Sequence, residues 1–90
     1  MLNIDKELFQ WEKDRNIFVL ENSPQITIVE FYNKNSQNSI RKYVSEGKVR
    51  IPNSLLKESF PITALACVEE NEEAKVIFRK VFKVLARPKP

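Results

Sequence analysis

The chain has 90 residues, 42% of them apolar and 30% charged, and its 15 basic and 12 acidic side chains leave a net charge of +3. That length allows one domain with one core, and no apolar run approaches the roughly 20 residues of a membrane-crossing helix. It has no histidine, one cysteine and one glycine, which excludes histidine triads and histidine metal sites, CxxC pairs, intrachain disulfides, P-loops and dinucleotide fingerprints.

The N-terminus, Met1-Leu2-Asn3-Ile4-Asp5, has neither a basic n-region nor an apolar h-region. No secretory signal is therefore expected, and synthesis in a cytoplasm fits. Polar or turn-forming clusters follow at residues 12–16, 21–25, 33–39, 46–47, 52–54 and 69–73. The apolar stretches between them recur about every ten residues, the spacing of a small β-sandwich.

The first apolar run is Ile17-Phe18-Val19-Leu20. In Ile26-Thr27-Ile28-Val29-Glu30-Phe31-Tyr32, alternation puts Val29 and Phe31 on one face and Glu30 on the other. Residues 40–44 and 48–51 flank Ser45-Glu46-Gly47-Lys48, which predicts a hairpin turn with the sole glycine at a positive φ. Val49 and Ile51 then face inward, and Lys48 and Arg50 outward. Pro52 ends the ladder. Asn53 or Ser54 is placed to cap one helical turn near residues 53–58 that tucks Leu55 or Leu56 onto the core.

Ile62-Thr63-Ala64-Leu65-Ala66-Cys67-Val68 is apolar on both faces and predicts a central buried strand. Its alanines leave room for a large neighbour, with Trp11 the candidate. The stretch 74–85 carries apolar residues at helical spacing but is built from β-branched and aromatic residues. As a strand it needs a bulge near Arg79-Lys80. The end, Ala86-Arg87-Pro88-Lys89-Pro90, reads as extended linker, so the domain is expected to span 1–86 with a proline-containing linker from 87 to 90.

Charge is uneven. Residues 1–73 hold nine basic and twelve acidic side chains, whereas 74–90 hold six basic and no acidic ones. Lys75, Arg79, Lys80, Lys83 and Arg87 are thus candidates for docking an acidic partner; with a net charge this mild, nucleic acid is not expected. The glutamates of 69–73 lack the spacing of a calcium loop and read as a solvated turn. Cys67 has no histidine partner and reads as buried and inert. Neither catalytic residues nor a cofactor nor a metal is expected. Trp11, Phe31, Tyr32 and Tyr43 offer a stacking surface for sugars or bases as an alternative to Trp11 and Phe31 in the core and Tyr32 and Tyr43 half-exposed on strands.

Several segments together carry a resemblance. Leu8-Phe9-Gln10-Trp11-Glu12-Lys13-Asp14-Arg15 resembles a "YQWDxxR" opening, and Val29-Glu30-Phe31-Tyr32-Asn33 a "VxFxN" strand. Val49-Arg50-Ile51-Pro52-Asn53-Ser54-Leu55-Leu56 resembles "VxIPNxLL". Residues 81–90 resemble a closing "VFEVLARPKP". The pattern is similar to the N-terminal immunoglobulin-like domain of phage and prophage tail or upper baseplate proteins from Gram-positive hosts. The long loop at 33–39 and the basic penultimate strand depart from it. The resemblance implies a strand over 75–85 and a structural, non-enzymatic role in a virion. The implied partners are other tail or baseplate proteins, with homo-oligomerisation through a full-length protein and no membrane. The rival function is a carbohydrate-binding module for a host cell wall.

The expected fold is all-β, an immunoglobulin-like sandwich of about seven short strands. Its expected core is Trp11, Ile17, Val19, Val29, Phe31, Val49, Ile51, Leu55, Ile62, Ala64, Ala66, Phe82 and Val84. With Trp11 at its centre, Trp11→Ala would cost roughly 3–5 kcal/mol.

Overall fold

The computed structural model describes residues 2–20 and 25–90. Its strands in chain order are β1 (Leu2–Asn3), β2 (Leu8–Phe9), β3 (Asn16–Val19), β4 (Ile28–Tyr32), β5 (Ile40–Tyr43), β6 (Lys48–Arg50), β7 (Ile62–Glu70), β8 (Glu73–Phe82) and β9 (Val84–Leu85), with one 3-10 turn at Asn53–Leu56. They form a four-stranded antiparallel sheet, β5-β4-β7-β8, a three-stranded antiparallel sheet, β1-β3-β6, and a parallel pair, β2-β9. Of the polar cluster read at 21–25, all but Gln25 falls outside the described residues.

The fold is an all-β sandwich. Pairing β3 with β6 and β4 with β7 interleaves the two sheets along the chain, the order of an immunoglobulin-like Greek key. Against about seven expected strands, the described residues form nine, three of which, β1, β2 and β9, are two-residue strands toward the chain ends. Two residues carry no periodicity for a sequence reading to detect.

One apolar cluster lies between the sheets. The three-stranded sheet contributes Leu2, Ile17 and Val49; the four-stranded sheet contributes Val29, Phe31, Ile62, Ala64, Ala66 and Phe82; Leu8 and Val84 come from the parallel pair, and Leu55 and Leu56 from the 3-10 turn. Phe31 is the largest fully buried side chain. It sits opposite Ala64, and Val29 opposite Ala66, so the space beside the alanines is taken by Phe31.

Trp11 is therefore not the core residue expected. It is half-buried and outside the cluster. Its backbone takes a positive φ of 73° just after β2. Val19 is also only half-buried, packed against the edge of the cluster. The remaining expected core residues are buried, together with Leu2, Leu8, Ile26 and Leu56.

Two tight turns use left-handed backbone. Glu46 and Gly47 have φ of 53° and 74° between Ser45 and Lys48, which exchange backbone hydrogen bonds of 2.9 and 3.1 Å. Asn71 and Glu72 have φ of 53° and 65° at the tip of the β7–β8 hairpin. Positive φ at both central residues gives the twist that a two-residue hairpin needs. Residues 75–85 are strand except at Lys83, between β8 and β9, as the resemblance implies. The bulge lies at Ile77, where Ala66 opposes Phe78 and Cys67 opposes Val76. That is two residues before the expected place, and it brings both Ile77 and Phe78 against the core. The 3-10 turn has no side-chain cap; the Asn53 side chain instead accepts a hydrogen bond from the Asp14 N–H at 3.3 Å.

Candidate functional site

Two surfaces collect the residues that are not explained by the core. The first is the outer face of the four-stranded sheet. Strand alternation sends Ile28, Glu30 and Tyr32 outward while Val29 and Phe31 face inward. The register then builds three cross-strand rows. Tyr43, Ile28, Cys67 and Val76 form one; Arg41, Glu30, Leu65 and Arg79 the next; Tyr32, Thr63 and Val81 the third.

The middle of this face is closed and its borders are open. Ile28 and Cys67 are fully buried between Tyr43, 65% exposed, and Val76, 48% exposed. Thr63 is buried between Tyr32 and Val81, the latter 48% exposed. Arg41 donates to Glu30 Oε2 at 3.1 and 3.0 Å. That hydrogen bond, and then the Glu30 charge, push the Arg41 guanidinium further up, so it is a permanent cation. Burial, reinforced by Glu30, pushes the Cys67 thiol up. A buried thiol so shifted is protonated at neutral pH and a poor nucleophile. The face therefore presents apolar and aromatic contact area edged by arginines, with no reactive group.

The five basic candidates do not come together. Lys75 is exposed and lies 3.7 Å from Glu70. Arg79 is exposed on the outer face. Lys80, one residue on, is on the core side; it donates to the Leu2 carbonyl at 2.9 Å and lies 5.4 Å from the centre of the Phe82 ring. Lys83 is exposed between β8 and β9. Arg87 donates to the Gln10 carbonyl at 2.6 Å. A run of cations along a strand is split between two faces by the same alternation that sorts apolar residues. On β8, an outer strand of its sheet, such cations and the bulge also discourage edge-to-edge pairing with other chains.

The second surface is a corner around Arg15, which the sequence reading did not single out. Its side chain is 8% exposed. It donates to the Glu7 carbonyl at 2.9 Å, the Lys6 carbonyl at 2.6 Å, both Glu12 carboxylate oxygens at 2.8 Å and Asp5 at 3.2 Å. Glu12 also accepts from the Phe9 N–H at 2.7 Å. Burial works to raise the Glu12 carboxyl, but the hydrogen bonds from Arg15 and Phe9 outweigh it and hold the group below its usual range. The spacing of Glu12 and Arg15 was the available signal; their backbone partners were not visible in sequence.

Three of the segments that carry the resemblance meet at this corner. The Trp11 N–H donates to the Leu56 carbonyl at 2.7 Å, and the Gln10 side chain to the Lys57 carbonyl at 2.8 Å. The Gln10 N–H donates to the Leu85 carbonyl at 2.8 Å. The opening segment, the turn after Pro52 and the closing segment are thus tied together by backbone contacts. From the expected linker 87–90, Arg87 and Lys89 reach this corner: the Arg87 guanidinium is 6.0 Å from the Phe9 ring centre and Lys89 Nζ 5.1 Å from that of Trp11.

Little else invites chemistry. A shallow recess of about 440 Å³ near the hairpin tip is lined by Gln25, Thr27, Val68, Glu69 and Glu70. Among the described residues no three acidic or cysteine side chains converge as metal ligands, and no helix is long and apolar enough to cross a membrane. No family model, curated protein or solved structure matches the chain.

Proposed function

We propose that this domain is a non-enzymatic structural module of a phage or prophage tail or baseplate, present in the virion and docked on neighbouring virion proteins. The docking surface in this reading is the outer face of the four-stranded sheet. The observation that carries it is the exposure of Tyr43, Val76 and Val81 on one face whose arginines stand at its edges. Aromatic and arginine side chains around an apolar centre are the composition of protein–protein contact surfaces. The cations favour a partner with carboxylates around its own apolar patch. The resemblance of the opening, middle and closing segments to baseplate domains supplies the assembly.

The carbohydrate alternative needs aromatic rings that share one surface. Trp11 lies at the corner with Lys89 Nζ 5.1 Å from its ring centre, whereas Tyr32 and Tyr43 stand in separate rows of the outer face of the four-stranded sheet, on either side of the Arg41–Glu30 pair, which does not favour one stacking platform built on Trp11. The test is to purify particles from a lysate of the strain that encodes the chain and to probe each fraction with an antibody to it. The proposal expects the chain in the tail-containing fractions. Recovery only as free protein would reject it, and saturable quenching of Trp11 by wall polysaccharide would favour the rival.

A further inference from the structure

We infer that Phe9, Gln10 and Trp11 form a recognition site for an extended cationic segment with prolines at alternate positions, which the chain fills with its own residues 86–90. The site has three parts. Phe9 and Trp11, two residues apart, present rings to Arg87 and Lys89, also two residues apart, at 6.0 and 5.1 Å. Between them the Gln10 carbonyl accepts from Arg87 Nε at 2.6 Å, and the Gln10 N–H donates to the Leu85 carbonyl at 2.8 Å.

Each feature of the occupant has a physical reason. Arg87 and Lys89 are the cations that aromatic faces attract. Pro88 and Pro90 keep the segment extended, so little flexibility is lost on docking. Prolines donate no N–H, and the backbone bonds here are made by Gln10 and the Arg87 side chain, so none is forfeited. The site is prepared independently of its occupant: Glu12 holds the Phe9 N–H, and Leu56 and Lys57 hold the Trp11 N–H and the Gln10 side chain. The parallel pairing of β2 with β9 delivers the segment in register.

Trp11 is the only tryptophan of the chain, so its fluorescence reports on the site. In the full chain, Arg87→Ala/Lys89→Ala is expected to raise the acrylamide quenching constant of Trp11 about twofold, because the strap that shields one ring face is lost. Lys48→Ala/Lys83→Ala, which removes the same charge from exposed positions elsewhere, is expected to leave quenching unchanged. The exchange Arg87→Lys/Lys89→Arg should keep the protection. A peptide Ala-Arg-Pro-Lys-Pro at millimolar concentration should restore protection to the Arg87→Ala/Lys89→Ala variant, and Ala-Ala-Pro-Ala-Pro should not. Circular dichroism establishes that each variant retains its β signature. Equal quenching in the two double-alanine variants, or equal response to the two peptides, would overturn the inference.

Discussion

The four-stranded sheet and the Arg15 corner are held together by different physics. In the sheet, Val29, Phe31, Ile62, Ala64, Ala66 and Phe82 bury apolar area against the opposite layer, and stability scales with that area. In the corner, a guanidinium spends its donors on two carbonyls and two carboxylates, and three distant segments are joined mainly by backbone hydrogen bonds. The sheet tolerates any apolar side chain of suitable volume. The corner depends on particular donors and acceptors, because a buried charge left without its partners is costly. Specific motifs accordingly concentrate in the corner, while the contact surface proposed for partners lies on the sheet.

The contrast can be broken most forcefully at Phe31. Phe31→Ala is expected to cost roughly 3–5 kcal/mol by denaturant unfolding, enough to unfold much of the population. Trp11→Ala, on a half-buried ring, should cost only about 1–2 kcal/mol. If the two costs were reversed, the indole and not Phe31 would be the centre of the fold. Arg15→Met is expected to cost about 3 kcal/mol, since it strands Glu12 and two carbonyls. A cost near zero would show that the corner is ornamental.

The same contrast has a pH signature. The Glu12 carboxyl is held below its ordinary value of 4.5 in the folded chain. Its contribution to stability is therefore complete above that value and is lost as pH falls below it, through the lowered folded value. Glu12→Gln should flatten this part of the stability profile between neutral and acid pH. An unchanged profile would contradict the pairing with Arg15. The smallest effect concerns the hairpin tip, where Glu72 holds a φ of 65°. Glu72→Gly should raise stability by about 0.5 kcal/mol by removing a left-handed side chain, visible as a small rise in Tm.

The sheet was largely legible in the sequence. Alternation placed Val29, Phe31, Val49 and Ile51 inward, the sole glycine marked the turn at residues 46–47, and the two-sided apolar run marked β7. The bulge was expected two residues late, because Ile77-Phe78 is apolar whichever residue is the extra one. The corner was not legible. Trp11 was assigned to the core because a large aromatic was needed beside two alanines, yet Phe31 is their neighbour across the sheet. The partners of Arg15 are mostly main-chain atoms, which every sequence possesses equally. The basic residues are divided for a geometric reason: adjacency along a strand separates Arg79 from Lys80 onto opposite faces.

Incorporation of variants into particles tests the proposed role most directly. Tyr43→Glu/Val76→Glu changes only exposed positions of the outer face, and Arg87→Ala/Lys89→Ala only the corner. With both variants folded, the first should be lost from the tail-containing fractions and the second retained at the level of the parent chain. Equal incorporation of the two would contradict docking through the sheet.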